Sequence, residues 1–480
     1  MPNKFIANYL LSVFNTIIGL LLPIITFPYI SRILEPDKIG LVNFVTSYGY
    51  YFMHIASFGI SSYAVREIAR IRNNKEAVRQ TGNEIFNINI LFSFLSGLFY
   101  LAIVVIVPRF RENFLLFALY SLTIFTNFLL LDWLFQAYDD YAFTMLRSLI
   151  VRILSIVFVF IFVKKESDFV VYMMILTFSE MGSRLSNYLY ARRKYINFSI
   201  SYRFLNFARH IKSLFTLFSF RIINGISSNL DKIMLGLFMT YYEVGIYSTG
   251  IKFVFLVIPL IENIGLVLFP KITISAKNSP ERYLENLKFN YKIILLLGIP
   301  MFIGLFLVSP ELLLLFAGER FAPSIIVSRI MAICILLVPI GDMFGSKTLL
   351  VFNKDSWLLI SSSIVVFCNI VFNFIGIPLF GIVGACVASI LCYFIAVAIR
   401  FIFTRKIIKF NLFPPELFKY SLFTVPFIVL YFVFQNSIRN SVTMLLGFIF
   451  TSIVIYFLEL LLSKDKTVIL VLSKLKTGKK

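Results

Sequence analysis

The chain has 480 residues, is 59% hydrophobic and only 14% charged, and carries a formal net charge of +21. Soluble domains average about 45–50% apolar and about 25% charged residues, so the composition excludes an ordinary soluble protein. The hydrophobic residues form runs of about 20, the length that crosses about 30 Å of hydrocarbon, which predicts an all-α polytopic membrane protein.

About fourteen such runs follow one another, and each is predicted to be a transmembrane helix. No gap between them much exceeds about 20 residues, so no folded domain is expected outside the membrane. The gaps contain prolines, as in Glu35-Pro36-Asp37, Pro108 and Pro414-Pro415, which are typical of turns between helices. The predicted spans are 9–31, 39–62, 83–107, 114–135, 145–163, 169–190, 213–238, 245–269, 289–309, 322–345, 357–378, 381–403, 417–435 and 441–462.

Lysine and arginine fall mainly in alternate gaps between the predicted spans. The rich set includes the gaps that hold Arg66 and Arg70, Arg192 and Arg193, and Lys347. Cytoplasmic loops carry this excess in membrane proteins, so both termini are predicted to be cytoplasmic. The net charge is therefore interpreted as a topology signal, and no nucleic-acid partner is predicted.

Two stretches share a pattern that suggests an internal repeat. "EPDKIGLVNF" follows the first span and "YYEVGIYSTG" follows the seventh, and Gly40 and Gly245 each come after an acidic residue and an Ile or Val. Parallel repeats of six helices would produce this pattern. The predicted organisation is a six-helix bundle at 1–212, a second at 213–405, and two further helices with a basic tail at 406–480.

The seventh predicted span, "FSFRIINGISSNLDKIMLG", contains three charged residues. Each charge at the centre of a membrane helix costs about 2.5–3.5 kcal/mol on insertion scales, so these side chains should face protein or a water-filled cavity. A cavity-lining face is favoured; an interhelical salt bridge, or snorkelling to the outer interface, stays open. At 100° per residue, Arg221, Asn224, Gly225, Ser228, Asp231 and Lys232 form a stripe about 120° wide, and Asn229 clearly lies outside it.

Among the deeper charges of the other spans, basic residues outnumber acidic ones. Glu180 and Arg184 are four residues apart and are predicted to neutralise each other. The remaining surplus suits an anionic substrate such as a phosphate or pyrophosphate head group, although pairing with lipid phosphates is the alternative. The substrate-cavity candidates are Arg32, Arg152, Arg221, Asn224, Ser228, Asp231, Lys232 and Lys252, and the coupling-ion candidates are Asp231, Glu262 and Asp342.

No motif predicts a catalytic residue, a cofactor or a metal site. The four cysteines lie in hydrophobic stretches without a CxxC pair or a nearby histidine. "GDMFGSKT" has Ser346 where a P-loop needs its second glycine, and it follows a membrane span instead of a strand. An ATP-driven pump is therefore not expected from this chain alone, and the short external gaps disfavour a lipid-linked glycosyl- or phosphotransferase.

Three stretches resemble bacterial polysaccharide-repeat flippases: "ISRILEPDKIGLVNF", "ASFGISSYAVREIAR" and "LDKIMLGLFMTYYEVGIYSTGIKF". These flippases are the Wzx-type O-antigen and capsule translocases of the multidrug/oligosaccharidyl-lipid/polysaccharide exporter superfamily. The resemblance implies a MATE-like fold, with two six-helix lobes facing a central cavity and two added C-terminal helices. Arg32 and the Asp231-Lys232 pair match positions that recur in these flippases.

The resemblance further implies a transporter and not an enzyme. Its substrate would be an undecaprenyl-pyrophosphate-linked oligosaccharide, moved by alternating access from the inner to the outer leaflet of the bacterial cytoplasmic membrane. Its partners would be membrane lipids, a polysaccharide polymerase and a chain-length regulator. The alternative is a cation-coupled multidrug or metabolite exporter of the same fold, which would depend on the buried acids Asp231, Glu262 and Asp342.

Overall fold

The computed structural model describes residues 19, 25–201, 206–226, 229–438, 440–465 and 467–469. Within these ranges the chain forms helices joined by short connections, and it contains no strand. The predicted all-α fold is therefore confirmed. The chain divides into two compact units, Met1–Gly245 and Ile246–Lys480. The three-part division by helix number stays a prediction.

The first continuous described stretch of the first unit is helical at 25–33. Short 3-10 turns at Asn127–Leu129 and Glu166–Asp168 interrupt the helices that follow. These helices are α1 (Pro36–Ser57), α2 (Ile60–Ile71), α3 (Lys75–Ile106), α4 (Pro108–Arg111), α5 (Phe114–Phe125), α6 (Asp132–Ala137), α7 (Tyr141–Phe162), α8 (Phe169–Lys194), α9 (Phe207–Ile226) and α10 (Leu230–Phe238).

The next helix, α11 (Tyr241–Asn278), begins in the first unit and continues into the second. A 3-10 turn at Glu319–Phe321 and a π-helical turn at Gly345–Leu349 interrupt the later helices. These are α12 (Pro280–Ala317), α13 (Ser324–Met331), α14 (Cys334–Phe344), α15 (Asp355–Arg405), α16 (Pro415–Leu422), α17 (Val425–Ser437) and α18 (Ser441–Leu462).

Eight helical stretches of the described residues are long and apolar enough to cross a membrane. A ninth is obtained if Phe114–Phe125 and Asn127–Ala137, which are bent by 40°, form one span. The chain is therefore a multi-pass membrane protein, as predicted, and the number fourteen stays a prediction. The eight are Lys75–Ile106, Ala142–Phe162, Tyr241–Asn263, Pro280–Ala317, Ser324–Leu349, Asp355–Arg405, Pro415–Ser437 and Ser441–Leu462.

The 51 residues of α15 form two spans and not one. A straight helix of this length would extend about 77 Å, more than twice the hydrocarbon thickness of a bilayer. Gly381 breaks it with φ 57° and ψ −130°, a conformation that L side chains rarely adopt. Gly384 packs directly on Gly376, because a Cβ there would lie 2.0 Å from the Gly376 carbonyl oxygen. The break lies at the boundary between the predicted spans 357–378 and 381–403.

Several helix ends follow from the local sequence. Proline is the first residue of α1, α4, α12 and α16, where its missing N–H costs no helical hydrogen bond. Asn74 caps α3, since its Oδ1 accepts a hydrogen bond from the Ala77 N–H at 3.0 Å. Phe58 and Gly59 are both left-handed, with φ of 38° and 73°, and they turn the chain sharply between α1 and α2.

Aromatic residues hold the core of the first unit together. Phe44 and Tyr48 of α1 pack on Phe117 of α5, with ring centroids 6.3 and 6.1 Å apart. Tyr100 of α3 lies 5.3 Å from Tyr48 and is fully buried. Aromatic pairs in this range contribute about 0.5–1.5 kcal/mol beyond the area they bury. This core fixes α1 and α5, which carry part of the cavity described next.

Candidate functional site

The first unit contains an open cavity of about 600 Å³, here called the arginine cavity. It is lined by residues of α1, α5, α6, α7 and α8 together with Gly19, Thr26 and Leu130. Three arginines and two carboxylates give its wall a formal charge of +1 (3 − 2). The charged residues are Asp132, Arg147, Arg152, Glu180 and Arg184.

Helix α7 supplies the cavity with one polar face. Its lining residues recur at positions that share one side of a helix at 100° per residue. Apart from Tyr141 and Thr144 the rest of α7 is apolar, and only 6% of its most apolar 18-residue window is buried. On a membrane helix such a surface faces lipid, so α7 separates lipid from a charged interior. The lining residues of α7 are Arg147, Ser148, Val151, Arg152, Ser155 and Ile156.

Arg147 forms an ion pair in the wall and retains one unused donor. Its Nη1 lies 3.2 Å from Asp132 Oδ1, and the Asn187 side chain donates to the same oxygen at 3.1 Å. The Arg147 Nε and the Thr177 Oγ1 are buried and have no hydrogen-bond partner among the described residues. Because unsatisfied buried donors are costly, these two atoms are candidates for contact with a ligand acceptor.

The predicted Glu180–Arg184 ion pair is confirmed, at 3.0 Å. Arg184 is almost fully buried, and it also donates to the Thr123 backbone carbonyl and to the Met53 sulfur. Glu180 is half exposed. The spacing indicates only that the two charges neutralise each other. The structure also places both residues in the wall of the arginine cavity.

A second cluster fixes the start of α7 against the end of α8. Asp140 precedes α7, and its Oδ2 accepts hydrogen bonds from Lys194 Nζ at 2.7 Å, Tyr195 Oη at 2.7 Å and Tyr190 Oη at 2.9 Å. Burial alone would raise the pKa of the Asp140 carboxyl, but these three hydrogen bonds outweigh it and lower that pKa. Asp140 therefore positions the two helices that carry most of the cavity's charges.

We expect Asp140→Asn to lower the free energy of unfolding by about 1–3 kcal/mol, because hydrogen bonds to a charged acceptor are lost. The folded pKa is depressed, so the stabilisation is complete above the unfolded value of about 3.9 and disappears as the pH falls through the folded pKa. Thermal unfolding in detergent gives the difference in melting temperature between wild type and variant. This difference should be the same at pH 8 and pH 5 and smaller at more acidic pH.

The matched control for this prediction is Asp139→Asn. Asp139 is mostly exposed and pairs with Arg72 at 3.1 Å, and exposed pairs contribute about 0–1 kcal/mol. The role given to Asp140 would be contradicted if both substitutions lowered the stability equally. It would also be contradicted if Asp140→Asn remained less stable than wild type below the folded pKa.

One of the predicted substrate-cavity residues lines the arginine cavity, namely Arg152. Its guanidinium lies against Gly19, where a Cβ would be 2.8 Å from Nη1. Arg32 is exposed at the end of the helical stretch 25–33 and is not among the residues that line this cavity. Arg221 and Asn224 lie on α9, but their side chains fall outside the described part of the chain, as does the whole of Ser228.

Asp231 and Lys232 belong to a smaller polar cluster where α10 meets α1. Lys232 Nζ donates to Asn229 Oδ1 at 3.1 Å, and Ser47 Oγ donates to the same oxygen at 3.3 Å. Asp231 lies close enough to Tyr51 to interact electrostatically. Asn229, which lies outside the predicted stripe, therefore links the start of α10 to α1 by a hydrogen bond.

The other predicted residues lie in the second unit. Lys252 is half-buried on α11. Glu262 interacts electrostatically with both Asp342 and Lys347, and Lys347 Nζ lies 3.3 Å from Asp342 Oδ2. The sequence placed Lys347 in a basic cytoplasmic gap, whereas the structure buries it in the π-helical turn. The Tyr283 hydroxyl holds this turn by donating to the Lys347 carbonyl at 3.1 Å.

Sequence reasoning did not identify Asp132, Arg147 or Thr177 as cavity residues. A signal for Arg147 was present, because Arg147, Val151, Arg152 and Ser155 recur at the spacing of one helix face. Asp132 and Thr177 carry no comparable local signal, since only the packing of α6 and α8 brings them to the cavity.

Solved structures identify the class of this fold. "Lipid II flippase MurJ, inward closed conformation" superposes with a TM-score of 0.77 at 16% identity, covering 96% of this chain and 99% of that chain. An inward-facing multidrug resistance MATE family transporter of the MOP superfamily gives 0.64 at 15% identity, covering 82% and 94%. At these identities the likeness shows the fold alone, and it confirms the predicted MATE-like architecture.

Residues 5–276 match the family described as "Polysaccharide biosynthesis protein", which is more than half of the chain. The chain therefore belongs to the polysaccharide biosynthesis protein family, as the resemblance of its motifs predicted.

Two curated relatives match parts of the chain. The "Putative O-antigen transporter" of Escherichia coli K12 is 26% identical over 31% of this chain and 36% of its own length. The "Probable low-salt glycan biosynthesis flippase Agl15" of Haloferax volcanii is 26% identical over 38% of this chain and 40% of its own length. The chain thus spans well under half of either relative. Their names denote a transporter and a flippase, in agreement with the prediction that this protein is not an enzyme.

Proposed function

We propose that the protein flips an undecaprenyl-pyrophosphate-linked oligosaccharide from the inner to the outer leaflet of the bacterial cytoplasmic membrane by alternating access. The observation that carries this proposal is the arginine cavity, a charged interior within a unit of membrane helices. Family membership and the names of the relatives support the same substrate class.

The cavity's charge suits a pyrophosphate. Arginine presents a planar fork of donors that matches phosphate oxygens, and such charge-assisted hydrogen bonds are about twice as strong as neutral ones. Two of the three arginines already face a carboxylate, which limits the cost of holding them inside the membrane. The wall's net charge of +1 attracts an anion, and the buried Arg147 Nε and Thr177 Oγ1 can donate hydrogen bonds to it. Partial neutralisation also favours release of that anion on the far side.

Hydroxyl groups line the same cavity and suit the sugar part of the substrate. They can donate and accept hydrogen bonds, so they fit saccharide hydroxyls without adding charge. The hydroxyl-bearing lining residues are Thr26, Thr46, Tyr120, Ser148, Ser155, Thr177, Ser179 and Ser183.

Flipping by the purified protein in proteoliposomes tests the proposal, with a fluorescent polyprenyl-pyrophosphate-linked saccharide as substrate. We expect the Arg147→Ala, Arg152→Ala double variant to flip it at least about tenfold more slowly, because loss of one charge-assisted contact typically costs 1.5–3 kcal/mol. Arg329→Ala is the control, since Arg329 packs on the Phe306 ring in the second unit. No protein-dependent flipping of the substrate, or wild-type rates for the double variant, would contradict the proposal.

The same proposal places both termini in the cytoplasm and includes assembly with a polysaccharide polymerase and a chain-length regulator. It gives a role in ion coupling to Asp231, Glu262 and Asp342. It gives a role in substrate binding to Arg32, Arg221 and Lys252. Reporter fusions at each terminus check the topology. Flipping measured with and without a sodium or proton gradient checks the coupling.

A second candidate function is a cation-coupled exporter of drugs or metabolites. It is favoured by the acidic pair Glu262 and Asp342, which share the buried Lys347 inside a membrane-spanning part of the second unit. Acidic residues in such a place are typical of ion-coupled transport. A deletion strain with increased drug sensitivity and unchanged surface polysaccharide would favour this alternative over the flippase.

A further inference from the structure

An apolar groove of about 380 Å³ runs between α7 and α8. Leu154, Phe158 and Phe162 form its α7 side, and residues such as Met174 and Phe178 form its α8 side. Ser179 is the one hydroxyl-bearing residue that lines it. The stretch from residue 151 to residue 162 rises about 16 Å, roughly the hydrocarbon depth of one leaflet.

The groove and the arginine cavity share part of their walls. Val151 and Ser179 line both of them. A charged, hydroxyl-rich compartment therefore adjoins an apolar one within the first unit. An amphiphile with an anionic head and a long apolar tail matches this arrangement, because each part then lies in a compartment of its own polarity.

The groove opens toward the lipid-facing side of α7. The side chains of Leu154, Phe158, Phe162 and Phe178 are each between 43% and 56% exposed. A chain in the groove could therefore continue into the bilayer without crossing a polar surface. Gly182 forms an open part of the wall, since a Cβ there would meet no atom within 4 Å.

We propose that this groove holds the isoprene units next to the pyrophosphate of the polyprenyl-linked substrate while the pyrophosphate lies in the arginine cavity. The proposal rests on the flippase function proposed above. The substrate's tail is the occupant because it is covalently joined to the group that the cavity binds, and the shared residues place the groove directly beside that group. An acyl chain of a bilayer phospholipid has no such link to the cavity.

Photo-crosslinking of the full chain in lipid nanodiscs tests the groove. One probe is undecaprenyl pyrophosphate with a diazirine in the isoprene units nearest the pyrophosphate, and the other is a phospholipid with a diazirine in its acyl chain. We expect the polyprenyl probe to label α7 and α8 at the groove. We expect unlabelled undecaprenyl pyrophosphate to displace any phospholipid labelling there.

Two variants narrow the groove from opposite sides. Gly182→Leu fills it from α8 and Leu154→Trp from α7, and each is expected to lower labelling by the polyprenyl probe about tenfold, equivalent to roughly 1.4 kcal/mol. Gly304→Leu is the matched control, because Gly304 of α12 also has open space around its Cβ position. Each variant should unfold at the same temperature as the wild type, which would show that lower labelling results from filling the groove and not from misfolding.

Three results would overturn the proposal. These are polyprenyl labelling outside the groove, labelling unchanged in both narrowed variants, and phospholipid labelling that undecaprenyl pyrophosphate does not displace. If flipping still depends on Arg147 and Arg152 in any of these cases, the flippase function stands and the tail site is wrong. If no lipid-linked saccharide is flipped and inorganic pyrophosphate does not compete with the polyprenyl probe, both proposals fail.

Discussion

Gly40→Ala is expected to destabilise the protein by about 3 kcal/mol or more and to abolish flipping, since the added methyl group overlaps backbone atoms. A Cβ on Gly40 would lie 1.6 Å from the Tyr241 carbonyl oxygen and 2.7 Å from the Gly245 nitrogen. These contacts join α1 to the first turn of α11 inside the first unit. Backbone atoms cannot rotate away as a side-chain tip can, so the two helices would have to separate.

The contact between α1 and α11 can also be tested from the α11 side, at Gly245. A Cβ on Gly245 would lie 2.0 Å from the Pro36 carbonyl oxygen. Gly245→Ala should therefore break the same contact, and the double variant should be little worse than either single one. The two glycines that the sequence repeat singled out are thus direct neighbours.

Thermal unfolding and flipping by the purified variants check this prediction. Gly304→Ala is the control, since a Cβ at Gly304 meets nothing within 4 Å. That substitution should be neutral or stabilising by about 0.5–1 kcal/mol, the usual gain of alanine over glycine in a helix. Gly40→Ala with the stability and flipping rate of Gly304→Ala would show that α1 and α11 are not packed at this point.

Glu84→Ala is expected to have the second large effect, a loss of about 3–5 kcal/mol, because it breaks a buried ionic network. Glu84 Oε2 lies 2.8 Å from His210 Nε2 and 3.1 Å from Arg209 Nη1. The Tyr63 hydroxyl lies 2.7 Å from His210 Nδ1, and Gln80 Nε2 donates to Glu84 Oε1 at 3.3 Å. His210 and Glu84 are buried and Arg209 is half exposed, so the buried part of the network joins α2, α3 and α9.

Graded variants separate the contributions to this network. Glu84→Gln keeps an acceptor for His210 and should lose less stability than Glu84→Ala. A double-mutant cycle of Glu84→Ala with His210→Ala should give a coupling energy of about 0.5–3 kcal/mol. Glu76→Ala is the control, since Glu76 is 80% exposed and 3.9 Å from Arg79. An effect of Glu84→Ala no larger than that of Glu76→Ala would rule out a stabilising network.

The fold class could be predicted because hydrophobic runs are a local property of the sequence. Helical spans, proline helix starts and the Glu180–Arg184 pair all depend on residues a few positions apart. The break at Gly381 also lies where two predicted spans meet. The π-helical turn that buries Lys347 has no comparable signal, so a basic residue at a predicted span end was interpreted as a loop residue.

The arginine cavity could be predicted only in part, because a cavity depends on packing between distant segments. Arg152 was identified as a deep cation, and Arg147 could have been found from its spacing on the same helix. Asp132, which pairs with Arg147, comes from another helix after a 3-10 turn. The stripe of the seventh predicted span predicts a cavity-lining face, which stays a prediction. Of its described members, Asp231 interacts with Tyr51 of α1, and Lys232 donates to Asn229, which also accepts from Ser47 of α1.

The hairpin at Gly381 has a consequence for biogenesis. Its two spans are joined by a single glycine turn, and the neighbouring Leu379 and Phe380 are apolar and 67% and 69% exposed. This tip has no hydrophilic loop that could remain in water after the first span has been inserted and before the second is. The two halves of α15 should therefore leave the translocon as one preformed helical hairpin, and the membrane should receive them in a single insertion event.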